Sequence, residues 1–357
     1  MNDQLNDQLN DQSNDRLMHN LVIQRIPGLT VNEKNLLSQK FECIDDLTRL
    51  SKEDIEQIIK RNFNNNKSIS KLSDTWPRNW NIEKSRALAQ EDFKTAQRQG
   101  IKIVTLFDPD YPPLLREIYD PPLILFYRGV LPNPELPLVA MVGTRKPSSA
   151  AAAKAYEMAG DFGRSGIPVV SGLALGIDAF SHRGNIDAGA PSIAVLGSGL
   201  DQVYPSSNRL LAQRILNKGG ALLSEYPPQQ SPRKWHFPAR NRIISALARG
   251  TIIVEAPLKS GALITADFAL QQNRDLWVCS VGLNPNRESG NAKLAMDGAK
   301  VIEKAEQVLE EWGIDRNTYS ANIQDGKLNP GFNYNINGSF KGSSLAYSLA
   351  RKLEIEV

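Results

Sequence analysis

Apolar residues follow two different spacings along this chain, and the change falls near residue 138. Before it, from Leu21, positions such as Ile23, Ile26, Leu29, Leu36, Leu37 and Phe41 recur at helical intervals around the Pro27–Gly28 turn. This predicts short amphipathic helices. Asp45 or Ser51 would cap those that follow, and Asn62–Lys67 reads as a polar loop. A longer helix near Glu83–Gln99 stops at Gly100. One strand, Ile101–Leu106, then precedes two proline-dense and aromatic segments, DPDYPPLL and DPPLILFYRG, whose prolines fix the path of the chain.

From Leu138 short apolar runs alternate with helical patterns. Strands are predicted to begin near Val139, Ile167, Ser192, Ala221, Thr251, Leu276 and Lys300, a spacing that repeated strand–helix units produce. The runs VAMVG, IPVVS, IAVLG and TIIVE are apolar throughout, as strands covered on both faces require. The expected fold is therefore α/β, a doubly wound, mostly parallel Rossmann-like sheet with a small N-terminal helical domain. The expected divisions are an unstructured tail at 1–20, a helical domain at 21–100, a connector at 101–137, the sheet domain at 138–312 and an irregular tail at 313–357. The first tail is a four-residue repeat, NDQL NDQL NDQS NDRL, too poor in apolar residues to offset the entropy of ordering. Leu21–Leu50 has a faint helix–hairpin–helix look without the usual glycine spacing. A short helix, Leu345–Leu353, is expected near the end, and the 45 residues after Trp312 are too few and irregular for a winged helix.

Composition narrows the chemistry by exclusion. The two cysteines, Cys43 and Cys279, are far apart, and the three histidines include His19 in the repeat tail, so neither a disulfide framework nor a Cys/His metal site is expected. No apolar run approaches the length of a membrane span, and the polar, acidic N-terminus lacks a signal layout, so the expected compartment is the reducing cytoplasm. The net charge of +3 is small, but residues 229–275 carry seven Lys/Arg against three Asp/Glu. That local excess permits an anionic ligand.

In an open parallel sheet, ligands sit beyond the carboxyl ends of the strands. Four loops there are rich in glycine and hydroxyls: one starting at Gly143, one holding Ser171, Gly172 and Gly176, one at Gly197–Asp201, and one holding Ser260 and Gly261. Together they read as an anion-binding rim. A dinucleotide fingerprint and a Walker A loop are both missing, so no cofactor is expected. Within ten residues of the segment after the fourth strand lie Arg233, Lys234, Trp235, His236, Phe237, Arg240, Asn241 and Arg242. Cations interleaved with rings are what single-stranded nucleic acid asks for, since cations meet phosphates and rings stack on unpaired bases. The bland alternative, core aromatics beside solvated arginines, stands next to it, and alternation makes one of the two rings a core residue. A Ser171–His182–Asp178 triad is imaginable, but a structural Asp178–His182 pair at i, i+4 is the better reading. Glu225 and Glu255 end strands and could act as paired carboxylates, with a role orienting the arginines as the blander reading.

Six segments, GTRKPS, SGLALGIDAFSHRG, IAVLGSGLDQVYP, LLSEYPP, WHFPARNRII and SGALITADFAL, in that order and spacing, resemble the DprA/Smf family of DNA-processing proteins. The likeness runs from about Leu21 to Trp312 and includes DPDYPPLLREIYDPPLILFYRG. It implies a non-catalytic, homodimeric protein that protects incoming single-stranded DNA and helps load RecA recombinase in natural transformation. It also implies a DNA pocket of Arg145, Lys234 and Phe237, with Asn241 and the Ser171–Asp178 loop lining it, and so makes Phe237 the exposed ring. The chain departs from the family's proline–glycine turn and Asn-rich loop after the sixth strand of the sheet domain, where it reads Ser280-Val281-Gly282-Leu283-Asn284-Pro285. A rival of related architecture, a nucleoside-monophosphate phosphoribohydrolase, would need a PGGxGTxxE signature where this chain has APLKSGALITADFAL. A pure scaffold would leave the basic cluster without a purpose.

Overall fold

The structure is a computed structural model and describes residues 14–63, 81–283 and 289–314. It divides into two compact units. The first comprises Met1–Arg128, Gly199–Asp201 and Ser224–Gln230; the second comprises Gly129–Ser198, Gln202–Leu223 and Ser231–Val357.

The first unit is helical, with one antiparallel pair of strands. Its helices include residues 14–24, Val31–Lys40, Ile44–Thr48, Lys52–Asn62 and Ile82–Arg98. Thr30 with Glu33 and Ser51 with Asp54 form reciprocal capping boxes, which satisfy backbone N–H groups that a helix start leaves open. Residues 14–20, read from sequence as repeat tail, belong to the first helix, and His19 and Asn20 are buried. The last repeat, NDRL, therefore sits on a helix whose apolar continuation supplies the burial that the repeat lacks. Strand β1, Lys102–Thr105, pairs antiparallel with β2, Ile124–Gly129. β2 was hidden in the proline-dense connector: its flanking Pro121 and Pro122 masked a run, Ile124–Phe126, that is fully buried.

The second unit carries the parallel sheet. Its strands are β3 Val139–Val142, β4 Val169–Ser171, β5 Ile193–Val195, β6 Ala221–Ser224, β7 Gly250–Ile253, β8 Asp275–Cys279 and β9 Lys300–Ile302. They lie in the order β6-β5-β4-β3-β7-β8-β9 with parallel pairing throughout. Every residue of β3, β4, β5 and β7 is buried, as the unbroken apolar runs require. After β3 the chain builds outward through β4, β5 and β6, then returns to the other side of β3 as β7. That reversal falls at β3, and the carboxyl end of the strand at such a switch point is where open parallel sheets hold ligands. Asn291 fixes the far side: its amide donates to the carbonyls of Ile253, Val254 and Cys279 and accepts from Ala256 N–H. The expected helix Leu345–Leu353, the tail after Ile314 and residues 284–288 of the departing loop lie outside the described residues. Among the described residues no helix is long and apolar enough to cross a membrane.

His182 is fully buried on the helix Ile177–Asp187, with Nδ1 2.7 Å from the Ser192 hydroxyl just before β5. Burial, reinforced by the positive charge of Arg240, pushes its pKa from 6.5 down to about 3. Between those two values the unfolded chain takes up a proton here that the folded chain refuses. Stability therefore falls as pH falls through that window, by about 1.4 kcal/mol per pH unit from this group. Denaturant titrations from pH 6.5 down to pH 5 should show a shallower loss for His182→Gln than for the wild type, whatever the absolute stability of the variant. Equal slopes would contradict a buried neutral imidazole.

Candidate nucleic-acid interface

The loop after β3 is held rigidly by Glu255, beyond β7. Thr144 N–H donates to the Glu255 carbonyl at 2.7 Å, and Ser148 N–H donates to the Glu255 carboxylate at 2.7 Å. Ser148 in turn caps the helix Ser149–Arg164 through Ala151 N–H. Glu255 therefore shapes the loop that presents Arg145. Gly143 is half-buried against Ile177 and the Glu255 carbonyl.

The loop after β4 abuts this one. Gly176 has φ +77°, and a Cβ there would fall on the Thr144 carbonyl and the Arg145 backbone, so glycine is required on both grounds. Ile177 N–H donates to the Thr144 carbonyl at 3.2 Å. The Asp178 carboxylate folds back to accept from Gly172 and Ala174 N–H, at 3.1 and 3.3 Å. Burial pushes its carboxyl pKa up, against the opposing pull of the Arg240 charge and of these hydrogen bonds. The Ser171 hydroxyl is buried and donates to the Met141 carbonyl at 2.7 Å. His182 is engaged with Ser192 rather than with Ser171 or Asp178, so neither the Ser171–His182–Asp178 relay nor the Asp178–His182 pair is assembled. Among the described residues no group of three or more His, Cys, Asp or Glu is placed to hold a metal ion.

The basic and aromatic segment opens the helix His236–Leu247. Arg145 is exposed, with its guanidinium carbon 5.6 Å from the centre of the Phe237 ring. Phe237 is half-buried, and its other ring neighbour is Tyr204, at 5.5 Å between centroids and tilted by 36°. His236 turns inward, with Nδ1 3.1 Å from the Gly197 carbonyl. Lys234 is exposed. Neither ring is core, and the more exposed is Trp235, at 64%. The alternation of the two aromatics misleads because both stand at a helix start, where the period-two logic of a strand does not hold.

Arg240 and Arg242 are not exposed cations: each is 4% exposed. Arg240 sends its guanidinium under the site, donating to the Gly172 carbonyl at 2.8 Å and to the Val195 carbonyl. A Cβ at Gly172 would lie 2.5–2.7 Å from the guanidinium, so a side chain there would have to push Arg240 off these carbonyls. Asn241 donates to the Gly261 carbonyl at 3.2 Å, which joins the same helix to the loop after β7. Ser260 caps the helix Gly261–Gln271 through Ala262 N–H, and Gly261 is open to solvent. The sequence reading missed Tyr204 as a neighbour of Phe237, although it stands in the quoted segment IAVLGSGLDQVYP.

Residues 102–313 match the model of the family described as DNA recombination-mediator protein A. The chain belongs to that family. Protein Smf of Synechocystis sp. is 42% identical over 221 residues, 61% of this chain, and the chain spans 55% of that relative's length. The structure is similar to that of DNA processing protein A from Streptococcus pneumoniae, with a TM-score of 0.61 and 32% identity over 83% of this chain and 95% of the other. It is also similar to DNA processing protein A from Helicobacter pylori, whose structure was described for its single-stranded DNA binding mode. There the TM-score is 0.52 and the identity 29%, over 63% of this chain and 97% of the other. The mixed α/β fold with a mostly parallel sheet is thus the fold of this recombination-mediator family.

Burial separates two kinds of arginine in this member of the family. Arg240→Ala removes a guanidinium from buried carbonyls and should cost about 3–5 kcal/mol of stability. Arg145→Ala removes an exposed one and should leave thermal unfolding almost unchanged. Calorimetry of the two variants checks this; an Arg240→Ala protein as stable as the wild type would contradict the structural role.

Proposed function

We propose that the protein binds single-stranded DNA at the carboxyl end of β3 and acts there as a mediator that protects the strand and hands it to RecA. The observation that carries this reading is the meeting of an exposed arginine, Arg145, with a half-buried ring, Phe237, beside the exposed Lys234. Arg145 would grip a phosphate with two parallel donors, and Lys234 would serve as a point charge on the backbone. Phe237, backed by Tyr204, would stack on an unpaired base. Ser171, Gly172, Gly176, Ser260, Gly261 and Gly143 shape the ledge beneath. The description of the Helicobacter pylori relative supports the ligand, and the family's description supports the mediator role. RecA delivery and a homodimer formed through the sheet unit come to the proposal from the family resemblance. Two pockets on one particle would engage a long strand with avidity.

An enzymatic reading, hydrolysis of a nucleoside monophosphate, draws less support, since the loop after β7 lacks the glycine pair and the glutamate of that signature. Incubation with nucleoside monophosphates should release no free base.

The binding test is affinity for an oligo-dT strand and for a duplex of equal length across a salt series. Single strands should bind tighter at every salt concentration, with affinity falling as salt rises. Arg145→Ala and Lys234→Ala should each weaken binding and flatten the salt dependence by about one unit. Phe237→Ala should weaken binding with the slope kept. Equal affinity for duplex and single strand would overturn the reading.

The homodimer is tested by sedimentation at micromolar concentrations. The expected result is a species of twice the chain mass that binds long oligonucleotides better than short ones. A monomer that binds both alike would contradict it.

A further inference from the structure

Trp235 has no part in the pocket just described. Tryptophan is a residue that folded proteins mostly cover, yet Trp235 is 64% exposed in the middle of a basic run. The exposure is not looseness. The Arg233 guanidinium carbon lies 5.5 Å from the centre of the indole, and the buried His236 ring meets it in a T-shaped contact at 5.9 Å and 83°. A cation over the ring and an imidazole anchored to the Gly197 carbonyl hold the indole in place while most of it stays in solvent.

We infer that Trp235, with Arg233 beside it, is a second platform for an unpaired base, distinct from the one at Phe237. This rests on the single-strand reading above. Only His236 separates the two residues in sequence, so their Cα atoms lie within about 7 Å of each other. One strand can therefore present a base to each. Arg233 then serves twice, steadying the indole and offering donors to the phosphate that accompanies the stacked base. The site takes a base by its face, so it favours no sequence by hydrogen bonding and gains most from the larger purine rings.

The experiment uses the full chain, oligo-dT, intrinsic tryptophan emission and a parallel affinity measurement. Trp235→Ala should bind about tenfold more weakly, equivalent to about 1.4 kcal/mol, with melting temperature and salt slope unchanged. Trp235→Phe, which keeps a ring, should recover most of that loss. Adding oligo-dT to the wild type should quench emission, and the quench should vanish in Trp235→Phe. If Phe237→Ala weakens binding while Trp235→Ala binds like the wild type, the second platform is overturned and the pocket stands. A lowered melting temperature in Trp235→Ala would make the ring part of the fold and overturn it as well. A wild type that does not bind oligo-dT overturns both readings together.

Discussion

One buried guanidinium organises the carboxyl end of the parallel sheet. Arg240 reaches from the helix His236–Leu247 to carbonyls at the ends of two neighbouring strands, Gly172 just past β4 and Val195 closing β5. A charge taken out of water is costly unless its donors are met, and carbonyls freed at strand ends are ready acceptors. The match fixes the first turn of the helix over β4 and β5. It also packs the guanidinium against the Cα of Gly172 and places Asp178, which holds the same loop from the other side, beside a compensating positive charge. The segment that presents Lys234, Trp235 and Phe237 is the start of this helix, so its position depends on that anchor.

The ledge in front of the anchor is built from backbone rather than from side-chain chemistry. Glu255 pins Thr144 and Ser148, Thr144 accepts from Ile177, and Gly176 lets the two loops touch. Such a surface costs no reorganisation when a ligand arrives, and the groups free to meet one are long or flat: Arg145, Lys146, Lys234 and Trp235 are all exposed. Cations and rings on a rigid ledge suit a ligand with repeated phosphates and unpaired bases.

The sheet was legible in the sequence because buried parallel strands are uniformly apolar and recur at strand–helix intervals; the seven predicted starts fall within two residues of the observed strands. β2 was not, because the prolines before it speak louder than its short apolar run. The helix at 14–24 was missed because its first turn is spelled by the polar repeat. At the site, the residue types were readable but their depth was not. Arg145 and Arg240 look alike in a string of letters, and only the packing of strand ends shows that one faces solvent and the other carbonyls. Alternation made one of Trp235 and Phe237 a core ring, and the resemblance made Phe237 the exposed one; alternation is a rule for strands that a helix start does not obey, and neither ring is core.

The proposed path takes a single strand across the carboxyl end of β3, against the 143–148 loop and the start of the helix His236–Leu247. Hydrogen exchange of the full chain with and without saturating oligo-dT tests it directly. A strand on that path slows exchange in residues 143–148 and 233–241 and leaves the opposite edge of the sheet at β8 and β9 unchanged. Protection confined to segments away from those two, with 143–148 and 233–241 exchanging as in the free protein, would contradict it.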